Sequence, residues 1–322
     1  MTRPEPGTAV DVSRSCADTG SRLAWQLTAA LLCVDALWLF AAGWSVSWRG
    51  AAVTLLAVAG FGTPLLIARY RNDLRISTTA RAAALLTLFM AAASTFSYLV
   101  VSTNAPLVDA QLAALDDAIG FRWVALHAWL QQHSSLRNML SLAYASGLPQ
   151  LAFVVVLLGF TARPARLDEF MRLFILATLL TVLISGLLPA AGAWKHHAFT
   201  PLPDLATLSH FEPLRDGSLR HIPLEQMQGI ISIPSLHTAM AVLLAYAMRG
   251  VRVLGPLFAL LNLAMVAATP IDGGHYLVDV IAGAALAAAL IAVERRGART
   301  GRATPAPALT PAPTQPREAL HA

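Results

Sequence analysis

HYLVDVIAGAALAAALIAVERR, residues 275–296, sets the architecture. An apolar run from 276 to 293 ends on arginines and opens on an imidazole and a carboxylate, His275 and Asp279. The run is close to the roughly 20 residues that cross a bilayer as helix. Ionisable side chains at the mouth of such a run are costly enough to mark a functional site. Residues 234–237, Pro-Ser-Leu-His, open another apolar segment in the same way.

Outward from these two motifs, further apolar runs cover about 23–42, 51–68, 82–101, 141–160, 170–188, 236–248 and 254–269. With 276–293 they predict about eight transmembrane helices, an all-α polytopic membrane bundle. The short run 236–248 reaches adequate length when extended from Pro234 to Arg252. The composition agrees: 322 residues are 56% hydrophobic and 13% charged, which excludes an ordinary soluble domain.

Arginines alternate along the chain. Arg14 and Arg22 precede the first run, and Arg69, Arg71, Arg75 and Arg81 fill the second connection. Arg163 and Arg166 lie in the fourth, Arg249 and Arg252 in the sixth, and Arg295, Arg296 and Arg299 follow the last run. Cytoplasmic loops hold the excess of positive side chains. Both termini are therefore expected inside, with both histidine motifs and the long connections 102–139 and 189–233 outside, most simply at the cell membrane. The net charge of +5 sits beside membrane ends, where lipid headgroups and topology account for it, so no nucleic-acid partner is expected. No cleavable signal peptide and no Cys16–Cys33 disulfide are expected. The Ala-, Pro- and Thr-rich stretch 297–322 reads as a disordered cytoplasmic tail. Within 102–139, Trp123, Leu126, Trp129 and Leu130 recur at helical spacing among Asp116, Asp117, His127 and Gln131, an amphipathic stretch suited to the outer interface.

His275 and Asp279 stand four apart, so on a helix they would share a face and the carboxylate would orient the ring. An oriented imidazole serves as base or nucleophile, or merely bridges two helices. Ser235 after Pro234 is a good N-cap, and the free N–H groups of the next turn favour an anion there. His237 lies within that turn. Lys195, Arg215 and Arg220 in the preceding connection are available to hold phosphate.

The segments Gly229-Ile-Ile-Ser-Ile-Pro-Ser-Leu-His237 and Thr269-Pro-Ile-Asp-Gly-Gly-His-Tyr-Leu-Val-Asp279, followed by Ile281-Ala-Gly283, resemble the type 2 phosphatidic acid phosphatase superfamily. Within it they resemble the inositol phosphorylceramide synthase branch, over roughly residues 85–293. The resemblance implies a six-helix core at 82–296, preceded by a cytoplasmic segment 1–22 and two additional helices within 23–81. It implies a metal-independent, cofactor-free lipid phosphatase or phosphotransferase. His275 would be the nucleophile that becomes phosphohistidine, Asp279 its orienting partner and His237 the acid. Ser235 and the backbone at Leu236 would hold phosphate oxygens, with Arg215, then Arg220, and Lys195 as candidate cations. A membrane lipid phosphate is the implied substrate, with water, an alcohol or a lipid as acceptor.

The chain departs from the hydrolase pattern at Thr269, where an Arg is usual, and at Leu236, where a Gly is usual. Lys195, Leu202 and Pro203 match the spacing of an upstream Lys-x6-Arg-Pro motif without its Arg. Two other readings compete: a non-catalytic lipid-binding or transport protein keeping the fold, and a metalloenzyme using His196, His197, His210 and His221. The intact trio of His237, His275 and Asp279 opposes the first, and the absence of helical ligand spacing opposes the second. A serine protease built on Ser235 is disfavoured, because a Ser and a His two apart do not align with a third member.

Overall fold

A computed structural model describes residues 7–197 and 210–303, with side chains from 21 to 197 and from 210 to 297. Six helices carry a stretch long and apolar enough to cross a membrane. They are α1 (Gly7–Ala42), α2 (Trp48–Leu66), α4 (Leu74–Val101), α9 (Pro164–Leu187), α13 (Leu254–Asp272) and α14 (Leu277–Ala303). The short α3 (Ala68–Arg71) joins α2 to α4. A bent pair, α7 (Ser134–Ala145) and α8 (Gly147–Phe160), is long and apolar enough only when taken together, and its two halves meet at 47°. The sequence predicts one run at 141–160, and Pro149 explains the break: its ring clashes with the carbonyl four residues back, at Ala145. The eighth apolar segment, α12 (Leu236–Ala247), is only 12 residues long. The extension to Pro234 and Arg252 does not form, because Ser235 caps the start and Gly250, at φ +71°, turns the chain after the end.

The remaining elements gather at the motif end. They are α5 (Asp109–Ala118), α6 (Trp123–Gln131), α10 (Ala193–His196), α11 (Phe211–Arg215), a 3-10 turn (Leu224–Gln226) and a two-residue parallel pairing of β1 (Ser45–Val46) with β2 (His221–Ile222). The amphipathic stretch forms α6, but its apolar side is split. Trp123 and Leu130 are buried against Ile271 and Tyr276, while Trp129 is exposed. Asp116, expected on the polar face, is buried instead.

α12 is the centre of the bundle, packed by α8, α9, α13 and α14. Its Ala239, Ala241, Leu243 and Leu244 are fully buried, in one core with Phe89, Phe174 and Met265. Gly283 of α14 allows a close crossing, since a Cβ there would stand 2.3 Å from the Ser235 carbonyl oxygen. The opposite end of the bundle is basic. Arg166 donates to the Arg249 carbonyl at 2.7 Å, Arg249 pairs with Glu169 at 2.5 Å, and Arg172 pairs with Glu294. The arginines of two separate connections thus meet away from the histidines. α14 runs through Ala303, past the Gly297 at which a disordered tail was expected; residues 304–322 lie outside the described part.

Candidate active site

The expected N-cap forms: the Ser235 hydroxyl accepts the Thr238 N–H at 3.4 Å and fixes the first turn of α12, which carries His237. Its backbone N–H donates to the Asp279 carbonyl at 3.0 Å, so the two motifs are tied through the main chain.

His275 and Asp279 do not share a helical face, because α14 begins only at Leu277. Gly274, at φ +64°, turns the chain so that His275 folds back over the helix start. Its Nδ1 lies 3.4 Å from Asp279 Oδ2, and its Nε2 lies 3.5 Å from the Ser235 hydroxyl. The same Oδ2 accepts from the Ser232 hydroxyl at 2.7 Å and the Tyr276 N–H at 3.1 Å. Asp279 is fully buried, and His275 nearly so. Three donors on one oxygen hold the carboxylate in place, and the ring presents Nε2 away from it.

His237 is held differently. Its ring stacks on Tyr144 at 4.2 Å between centroids, and the Tyr144 hydroxyl stands 3.1 Å from Nδ1. The absent side chain of Gly273 lets these groups meet: a Cβ there would be 2.8 Å from the Tyr144 hydroxyl and 2.6 Å from His275 Cδ2.

Distant carboxylates brace this end. Asp116 of α5 accepts from the N–H groups of Leu277 and Val278 at 2.8 and 3.0 Å, capping α14 across 161 residues of chain. Asp109 accepts from the N–H groups of Ala191 and Gly192, both at 2.9 Å, and from the Tyr276 hydroxyl at 2.9 Å. Burial, with Asp109 beside it, pushes the Tyr276 phenol far above its ordinary range. The indoles of Trp123 and Trp194 donate to the Pro270 and Ile271 carbonyls at 2.9 and 2.8 Å, satisfying the end of α13 that the loop to His275 leaves.

A small cleft opens beside the trio, lined by Gly192, Phe211, Ile230, Ser232, Gly273 and Gly274 among others. Lys195 and Arg215 stand over the Phe211 ring, at 5.8 and 5.5 Å from its centroid. Arg215 donates one guanidinium nitrogen to the Ala105 carbonyl at 2.9 Å, while its other terminal nitrogen is buried without a hydrogen-bond partner. Lys195 pairs with Glu212. Burial holds both cations below their ordinary pKa, and Asp109 opposes that shift in each. Arg220 is not part of this group: it is exposed and bonds back to the Gly217 carbonyl of its own turn at 3.1 Å. Leu202 and Pro203, the rest of the Lys-x6-Arg-Pro spacing, lie outside the described residues.

The four histidines of the metal reading are dispersed. His210 bonds the Tyr98 hydroxyl at 2.8 Å, His221 bonds Ser45 at 2.9 Å, and His197 stacks on Trp123. His196 packs edge-on against Tyr276. Among the described residues no three potential ligands converge.

Tyr144, Ser232 and Asp109 are the site residues that sequence reasoning misses. Ser232 sits inside a quoted motif and could have been singled out as a hydroxyl three residues before the cap. Nothing local marks Tyr144 or Asp109.

A family model described as the PAP2 superfamily matches residues 110–293, more than half of the chain, and the chain belongs to that superfamily. The match includes both motifs and begins after α4. Neither the curated proteins nor the solved structures gave a match.

Proposed function

We propose that this PAP2-superfamily membrane protein is a lipid-phosphate phosphatase or phosphotransferase of the inositol phosphorylceramide synthase-like kind, working through a phosphohistidine on the extracytoplasmic side. The observation that carries the reading is His275 itself: Nδ1 turned to a buried carboxylate, Nε2 left toward the capped start of α12. A carboxylate on one nitrogen raises the nucleophilicity of the other. Nε2 attacks phosphorus, the P–O bond to the lipid alcohol breaks, and His237 gives its proton to the departing oxygen. Water or an alcohol then attacks the phosphohistidine, His237 takes its proton, and the P–N bond breaks. Ser235, the N–H groups following it at Leu236, and the cations Arg215 and Lys195 would balance charge on the phosphate oxygens. Arg215 has an unused buried donor, which supports it as first choice. Arg220 ranks last, being tied to its own turn.

Two observations support a lipid substrate met from outside. α12 covers about 18 Å at 1.5 Å per residue, short of a hydrocarbon core of roughly 30 Å, so a helix reaching the inner surface would start His237 below the outer one. The arginines collect at the other end of the bundle.

The test uses protein purified in detergent and a panel of labelled lipid phosphates, with and without alcohol acceptors and with strong chelator throughout. The expected result is chelator-resistant turnover and acid-labile phosphate on the protein. Turnover restored only by added zinc or magnesium, or none with any lipid, rejects the reading. Labelling of a cysteine at position 210 from outside, and of one at position 75 only after permeabilisation, checks the sidedness.

A further inference from the structure

Tyr144 ends α7 just before the bend, and its ring and hydroxyl both serve one histidine. The ring lies against His237 at an interplanar angle of 22°, and the hydroxyl meets Nδ1 at 3.1 Å. One turn earlier, Ser141 donates to Asp272 at 2.5 Å, which pins α7 to the end of α13. That pin fixes the height of the phenol beside Gly273, where a side chain as small as methyl would strike the hydroxyl. A packing tyrosine would need only its ring here; the hydroxyl aimed at a ring nitrogen is the additional feature.

We infer that Tyr144 is a positioning residue for His237, accepting the Nδ1 hydrogen so that the proton in play is always the one on Nε2. This rests on the reading of His237 as acid and base. In the imidazolium, Nδ1–H donates to the phenol oxygen and Nε2–H faces the leaving group. As the P–O bond breaks, the Nε2 proton moves to the departing alkoxide. The neutral ring keeps Nδ1–H on Tyr144, so its Nε2 lone pair is free to take the proton of the attacking water or alcohol as the P–N bond breaks. His237 ends protonated as it began. Without the phenol oxygen, the imidazolium is no longer held with Nε2–H on the leaving group, which weakens the acid of the first half, and the neutral ring is free to carry its hydrogen on Nε2, the tautomer that cannot act as base in the second.

The test measures phosphoenzyme formation in single turnovers, by acid-labile trapping, from a short-chain phosphatidic acid and from an aryl phosphate. Tyr144→Phe keeps the stacking and removes the oxygen. It should slow formation from the alkyl ester about tenfold, as a fraction of what acid catalysis supplies, leave its KM unchanged, and slow the aryl ester less than about twofold, since that leaving group needs no proton. In a His237→Ala background Tyr144→Phe should cost nothing more. Tyr144→Gln, whose amide oxygen accepts the same N–H, should recover part of the alkyl rate and provides a second arm if the Phe variant fails to accumulate. Equal losses on both esters, or an additive loss in the His237→Ala background, would overturn the inference and leave the phosphohistidine reading standing. A wild-type protein that traps no phosphate from either ester removes both.

Discussion

The two histidine-bearing starts place the same side chain in two environments. His275 faces a buried carboxylate oxygen that two other donors also hold, and His237 faces a neutral phenol on which it also stacks. A carboxylate adds negative charge and makes the opposite ring nitrogen a better electron donor; a phenol orients the ring and adds none. Under the proposed mechanism, the difference between nucleophile and acid is therefore written in the partners, not in the histidines or in the turns that carry them. The largest expected effect follows. His275→Ala should abolish acid-labile phosphate and all turnover, because no other side chain at that start replaces a nucleophile. Trapping in His275→Ala together with none in His237→Ala would reverse the assignment and break the comparison.

The acid side predicts a selective loss. His237→Ala should slow phosphoenzyme formation from an alkyl lipid phosphate by about 10²–10⁴-fold, the range for a lost general acid, and from an aryl phosphate far less. With the base also gone, the phosphoenzyme formed from the aryl ester should persist. Rapid breakdown of that intermediate would mean that another group activates the acceptor.

Charge neutralisation sharpens the same contrast from outside the trio. Arg215→Ala should lower kcat by about 10²-fold, as for a lost electrostatic stabiliser. Lys195→Ala should lower it about tenfold, since its ammonium is shared with Glu212. Arg220→Ala, on a side chain bonded to its own turn, should stay within about twofold. Equal small effects at all three would place the phosphate clamp on backbone N–H groups alone.

The parts of this site that sequence could show are those whose physics is local. Hydropathy gives the spans, the Ser235 cap follows from Pro-Ser before an apolar run, and His275 with Asp279 follows from spacing, although the pair meets across a helix start instead of along one face. The partners are not local. Tyr144 reaches His237 over 93 positions and Asp116 caps α14 over 161, distances at which no periodicity carries information. The bend at Ser146 was readable from Pro149 yet hidden by continuous hydropathy. Arg220 and Lys195 look alike in sequence, and only the placement of Phe211 and Glu212 separates them.

The smallest effect expected within the two motifs tests the carboxylate side without touching either histidine. Ser232 donates to the Asp279 oxygen that also faces His275, while the other Asp279 oxygen, buried, has no hydrogen-bond partner in the described structure. Ser232→Ala removes one of the donors that fix the carboxylate, a loss of about 1.5–3 kcal/mol for a hydrogen bond to a charged group. Two consequences oppose each other in catalysis. The freed oxygen becomes a stronger acceptor for the imidazole N–H, yet the carboxylate is no longer held in one rotamer, and orientation is the scarcer quantity in a buried pair. The net rate should fall by about three- to tenfold, with lower thermal stability in detergent. Because the loss acts through His275, it should be the same for alkyl and aryl phosphates, in contrast to every change on the His237 side. A Ser232→Ala variant that slows the alkyl ester selectively would show that the two starts are coupled, and that the division of labour between carboxylate and phenol is not as clean as their hydrogen bonds imply.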